Sequence, residues 1–168
     1  MPFVQGLMTG EYDGATVLTD LHMTTGSPKT VTAGNSILVW VPRWGGFILG
    51  YPFFASDSLG NSYTVALDYF GVGGSGRLHG ALFYSNNIIG GSLTEITIHF
   101  AGIGSVAYHV AGVSAEFTDT MAPASLIWDT AGDIDHAGTY TTPAITLPES
   151  LLVYAIGIGG DGQNGGGT

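Results

Sequence analysis

DSLGNSYTVALDYFGVGGSGRLHGALFYSNNIIGGSLTEITIHFAG, residues Asp57–Gly102, decides the fold class. Three of its segments alternate with period two. Tyr63, Val65, Leu67 and Tyr69 share one face against Ser62, Thr64, Ala66 and Asp68. Leu78, Gly80, Leu82 and Tyr84 alternate with His79, Ala81 and Phe83; Ile96, Ile98 and Phe100 alternate with Glu95, Thr97 and His99. Successive side chains of a strand point to opposite faces, so this pattern predicts antiparallel strands with one face in a core. The connectors agree. DSLGN (Asp57–Asn61) is a tight turn in which Gly60 and Asn61 tolerate positive φ. GVGGSG (Gly71–Gly76) is a loop, and NNIIGGS (Asn86–Ser92) is a turn whose two isoleucines plug the end of the core.

Outward from this stretch the chain keeps the same grammar. ILVWV (Ile37–Val41) is apolar at every position, as in a strand covered on both faces or meeting a partner on one. Val113, Ala115 and Phe117 alternate with Ser114, Glu116 and Thr118, and Leu151–Ile158 reads as a further apolar strand. GSPKT (Gly26–Thr30) reads as a turn. No segment carries the apolar period of a helix of normal length. The expected fold is all-β: a two-sheet antiparallel β-sandwich, jelly-roll-like, over residues 31–158. Residues 1–30 read as an extended N-terminal arm or edge strands, and residues 159–168 (GGDGQNGGGT) as a glycine-rich tail.

Composition bounds function. The chain has 168 residues, enough for one domain with a proper core. Only 10% of residues are charged and 45% are hydrophobic, which argues against disorder. The formal net charge is -10 with three cations, Lys29, Arg43 and Arg77. Phosphate-backbone binding depends on Lys and Arg, so neither nucleic acid nor an anionic membrane surface is an expected partner. The absence of cysteine excludes disulfides, thiolate catalysis and cysteine-ligated zinc. MPFVQGLMTGEYD lacks the basic and apolar regions of a signal peptide.

Several stretches invite a chemical reading. Gly71–Gly76 and Gly157–Gly162 match G-x-G-x-x-G, but the dinucleotide fingerprint needs a following helix, and neither has one. The five histidines show no metal-ligand spacing; His79 and His99, on the less apolar faces of two strands, could share a metal only if those strands are neighbours. Asp129, Asp133 and Asp135, with Asp119 nearby, could ligate calcium from a loop, against the plainer reading of Asx turns. Glu95 and Glu116 are candidates for a carboxylate pair on adjacent strands, against the reading of exposed strand acids. No nucleophile elbow, acid pair or triad stands out, so no catalytic residue, cofactor or metal is assigned and no enzyme is expected. Aromatics crowd one short region: Trp40, Trp44, Phe47, Tyr51, Phe53 and Phe54. Their reading as core competes with a platform for a subunit or a glycan.

The ordered pattern resembles a β-sandwich module of bacteriophage virion proteins and bacterial surface proteins. The matching pieces are AGNSILVWV (Ala33–Val41), DSLGNSYTVA (Asp57–Ala66), ALFYSNNIIGGSLTEITIHF (Ala81–Phe100), VSAEFTD (Val113–Asp119) and LPESLLVYAIG (Leu147–Gly157). The resemblance implies a non-enzymatic virion structural protein: a capsid decoration protein or a head or tail fibre module, assembled in the host cytoplasm. The expected partners are copies of the chain, with a trimer natural at a three-fold position, and other virion proteins such as the major capsid protein. The alternative is a carbohydrate-binding module of a surface or tail protein, at an extracellular surface. The chain departs from the resemblance after LPESLLV, where one or two further strands are expected; residues 1–30 or a neighbouring subunit would fill that place.

Overall fold

The computed structural model describes residues 3–13, 18–45, 53–72, 77–100 and 109–118. They form eight strands: β1 (Phe3–Asp13), β2 (Asp20–Val31), β3 (Ser36–Gly45), β4 (Phe53–Asp57), β5 (Thr64–Val72), β6 (Arg77–Ser85), β7 (Gly91–Phe100) and β8 (His109–Phe117). Every pairing is antiparallel. No helix occurs among the described residues.

The sequence reading expects two stacked sheets. The hydrogen-bonded order is instead one continuous sheet, β4-β7-β2-β1-β8-β3-β6-β5. It curls until its edge strands β4 and β5 approach each other, giving a nearly closed barrel around one main core. The pairing is nested: β1 with β8, β2 with β7, β3 with β6, and β4 facing β5 across the seam. Closure of this kind removes most exposed strand edge, which is otherwise a template for aggregation.

The core holds Ile37, Val39 and Val41 of β3, Ala81 and Phe83 of β6, Ile96, Ile98 and Phe100 of β7, and Val110 of β8. Each fully buried aliphatic or aromatic side chain of this kind contributes roughly 1.5–3 kcal/mol of hydrophobic stabilisation. Ile88 plugs the core end as expected, whereas Ile89 is exposed. Gly60 takes φ +80° in the Asp57–Asn61 turn. Around it Asp57 accepts four hydrogen bonds, from the backbone N–H of Leu59 and Asn61, the Asn61 amide and the Tyr63 hydroxyl. This turn spans the seam between β4 and β5.

Within the expected arm or edge at residues 1–30, the described strands β1 and β2 are neither. β1 and β2 lie inside the sheet with neighbours on both sides, and Leu7, Met8, Leu21 and Met23 enter the core. Glycine hides this in the sequence. Gly10 and Gly112 face each other across the β1–β8 ladder, and a Cβ on Gly112 would sit 2.6 Å from Met23 Sδ. The two glycines form the slot that Met23 fills. A register shift between Gly6 and Thr9 turns both Leu7 and Met8 inward. There Ser114 Oγ accepts from Met8 N at 2.9 Å and donates to Met8 O at 3.1 Å, completing the interrupted ladder. The expected turn at Gly26–Thr30 lies within β2: residues 25–28 have only Thr94 opposite them, so the segment is an irregularity in a continuous strand.

β8 is inverted relative to hydrophobic expectation. Ser114 and Glu116 are buried, while Val113 is 50% exposed. Glu116, at 0% exposure, accepts from Gln5 Nε2 (2.7 Å) on one oxygen and from Thr32 N (2.8 Å) and Asn35 Nδ2 (2.7 Å) on the other. It ties β8 to β1 and to the β2–β3 turn. A buried carboxylate is tolerated when its lone pairs are filled in this way.

Candidate functional site

The barrel presents two outer faces of opposite character. On β4, β7 and β2 the inward positions are Ala55, Ile96, Ile98, Leu21 and Met23. Alternation therefore turns Phe54, Ser56, Glu95, Thr97, His99, Asp20 and His22 outward. Register sets them in rows: Phe54, His99 and Asp20 lie side by side, and next to them Ser56, Thr97 and His22.

Hydrogen bonds link these rows. His99 Nδ1 lies 2.6 Å from Asp20 Oδ1, and His99 Nε2 lies 2.8 Å from Ser56 Oγ. An ionised carboxylate only accepts, so Nδ1 carries the proton; in the neutral ring Nε2 then accepts from the Ser56 hydroxyl. The Phe54 ring lies flat on His99, with centroids 4.2 Å apart and an interplanar angle of 18°. In the second pair His22 Nδ1 donates to Glu95 Oε1 at 2.9 Å, and Thr97 Oγ1 donates to the same oxygen at 2.6 Å. Partial burial works to raise the Asp20 pKa, but hydrogen bonds from His99 and Thr19, with the fields of His99 and His22, hold it below its ordinary value. The Glu95 carboxyl is held below its ordinary value by the hydrogen bond from Thr97, then that from His22, against partial burial. No three His, Asp or Glu residues converge as a metal cluster among the described residues.

The second face belongs to β8, β3 and β6. Val113, Trp40 and Leu82 form one cross-strand row, and Ala115, Leu38 and Tyr84 the next. Phe117 packs with Leu38 and Leu82, and Phe3 of β1 meets Phe117 edge-on, with centroids 5.9 Å apart at 73°. The Trp40 indole lies over Gly80, where a Cβ would overlap the ring. None of these eight side chains, Phe3 and Phe117 included, is charged. Val113 and Phe3 remain 50% and 60% exposed.

The six expected contact residues divide. Trp40 lies half-buried on the apolar face. Phe54, 49% exposed, lies on the polar face against His99, with β7, β2, β1 and β8 between their strands. Trp44 belongs to β3 and Phe53 to β4, and their side chains lie outside the described residues, as do Phe47 and Tyr51 entirely. The Asp129–Asp135 loop with nearby Asp119, the Leu151–Ile158 strand, the Gly157–Gly162 match and the tail at 159–168 are also outside them. Of the expected loop Gly71–Gly76, Gly71 and Val72 instead end β5 and residues 73–76 lie outside the described residues; the strand β6 follows, as expected, and pairs antiparallel with β5. His79 and His99 do not share a neighbourhood in the sheet: β2, β1, β8 and β3 separate their strands. Nor are Glu95 and Glu116 on adjacent strands, and only Glu95 faces outward.

The Ser56–His99–Asp20 link escapes sequence reasoning. Its members are 43 and 79 residues apart, and the signal available is that His99 and Ser56 alternate with core residues. Comparison of the chain with protein-family models, with curated proteins and with solved structures finds no match.

Proposed function

We propose that the chain is a non-enzymatic structural protein of a virion, a capsid decoration protein or a head or tail fibre module, that stabilises the particle through subunit contacts. The observation that carries this reading is the uncharged apolar face of Phe3, Val113, Ala115, Phe117, Leu38, Trp40, Leu82 and Tyr84. Of these, Phe3 and Val113 are exposed, Trp40, Ala115 and Tyr84 are half-buried, and Leu38, Leu82 and Phe117 are buried beneath them; an uncharged cluster on the outside of a barrel, open at Phe3 and Val113, supports an interaction surface there. The nested strand pairing supports it too, since that order is the one a jelly roll takes when its ribbon winds around a core. Contacts made only in the assembled state stabilise it by mass action.

In this reading the face meets further copies of the chain, in a trimer on a three-fold position, and the major capsid protein. Light scattering on the eluting protein tests it. A mass of two or more chains, reduced to one chain by Val113→Lys, is the expected result. A monomer at all concentrations would remove the support. Glycan binding is a second reading, favoured by the exposed Phe54 ring beside Asp20 and Ser56. It predicts glycan-array binding that Phe54→Ala abolishes.

A further inference from the structure

We propose that Ser56, His99 and Asp20 form a nucleophile, base and orienting carboxylate that make Ser56 an acceptor of acyl groups from small activated carboxylic esters. This goes beyond the assembly reading and does not rest on it. Three observations carry it. Ser56 Oγ is 2.8 Å from His99 Nε2. His99 Nδ1 is 2.6 Å from Asp20 Oδ1, which fixes the tautomer that leaves Nε2 free to take a proton. Phe54 lies flat on the imidazole and holds its plane.

Neighbouring hydroxyls provide an internal contrast. Thr97 Oγ1 donates to the Glu95 carboxylate, and Ser58 Oγ accepts from Thr94 N. Neither is joined to an imidazole. An alcohol is a weak nucleophile unless an adjacent base removes its proton, and of these three hydroxyls Ser56 is the one so placed.

The chemistry balances without a cofactor. Ser56 Oγ bonds to the acyl carbon as its proton passes to His99 Nε2. The tetrahedral adduct collapses, its carbon–oxygen bond to the alcohol breaks, and His99 returns the proton to the departing oxygen. Asp20 stays ionised throughout and stabilises the imidazolium. A positioned general base contributes about 10²–10⁴-fold. The face is open to solvent, and an oxyanion hole is worth a further factor of about 10²–10³ per donor. Slow stoichiometric acylation of Ser56 is the expected outcome.

The test is p-nitrophenyl acetate with the full chain, read by intact mass and peptide mapping. One acetyl group on Ser56 is expected, with Ser58 and Thr97 unmodified. Ser56→Ala removes it. His99→Gln slows it by about 100-fold or more. Asp20→Asn does the same, because an amide can donate to Nδ1 and turn a protonated Nε2 toward Ser56. Ser58→Ala leaves the rate unchanged. Circular dichroism of each variant verifies its fold, and the selectivity within the wild-type chain is read without any variant. Ser56 labelled no faster than Ser58 or Thr97, or labelled equally fast in folded Asp20→Asn, would overturn the proposal.

Discussion

Replacing Glu116 probes the junction between β8, β1 and the β2–β3 turn. Its carboxylate accepts three hydrogen bonds of 2.7, 2.8 and 2.7 Å while fully buried. In Glu116→Gln one oxygen becomes an NH₂ group facing a donor. If the oxygen of the new amide keeps Thr32 N and Asn35 Nδ2, its nitrogen confronts the Gln5 amide. Gln5 cannot flip to accept without losing its 2.7 Å bond to Thr30 O. One hydrogen bond is therefore lost either way, and the expected cost is about 1–2 kcal/mol. In Glu116→Ala all three donors lose their acceptor and a cavity opens. Thr32 is exposed and Asn35 half-buried, so water satisfies some of these groups. The expected cost is about 3–5 kcal/mol, near that of breaking a buried charged pair. Urea unfolding reads both values from midpoint and slope. At this chain length the alanine variant would melt about 10 °C lower. Both variants within about 0.5 kcal/mol of wild type would refute a structural role for this carboxylate.

Other parts of the molecule yield further predictions. Gly112→Ala drives a methyl group into Met23 and is expected to cost about 1–3 kcal/mol; combined with Met23→Ala in a double-mutant cycle, the loss should be smaller than the sum of the two, and strict additivity would show that the slot is not shared. Burial, then the charge and hydrogen bond of Asp57, push the Tyr63 phenol far above its usual 10.0. The unfolded chain ionises there first, so stability is complete below pH 10 and declines above it; Tyr63→Phe should abolish this decline in urea midpoints measured against pH. Asp20 and Glu95 are depressed below 3.8 and 4.5. Their contribution is present above those values and fades as pH falls below them. Asp20→Asn with Glu95→Gln should flatten the acid limb of the same curve, and an unchanged limb would place its origin elsewhere.

The sequence disclosed strand grammar well and sheet assembly poorly. Ile96, Ile98 and Phe100 announce the inner face of β7 because their partners on the other face are polar. Gly60 announces its turn because the backbone there needs positive φ. β8 misleads because its polar positions face inward, where Ser114 and Glu116 satisfy backbone and amide groups of β1 and the β2–β3 turn. Such polar demand arises only when distant strands meet. β1 and β2 look coreless because Gly10 and Gly112 contribute the absence of a side chain, and Met23 supplies the volume from another strand. One continuous sheet and two stacked sheets share the same local alternation, so period-two patterning does not separate them. The all-apolar run Ile37–Val41 is legible as a strand covered on both faces, with Ile37, Val39 and Val41 in the core and Leu38 and Trp40 on the outer side. Ser56, His99 and Asp20 are not legible as a group, because β4, β7 and β2 become neighbours only through the nested pairing.

Hydroxyl-radical footprinting, resolved by residue with mass spectrometry, tests most directly whether the apolar outer face is an assembly surface. We expect Phe3, Trp40 and Val113 to lose reactivity as protein concentration rises, and to regain it in Val113→Lys at positions 3 and 40. Phe54 and His22, on the opposite-natured face, should react equally at every concentration. Equal oxidation of Phe3, Trp40 and Val113 across the whole concentration range would contradict the assembly role.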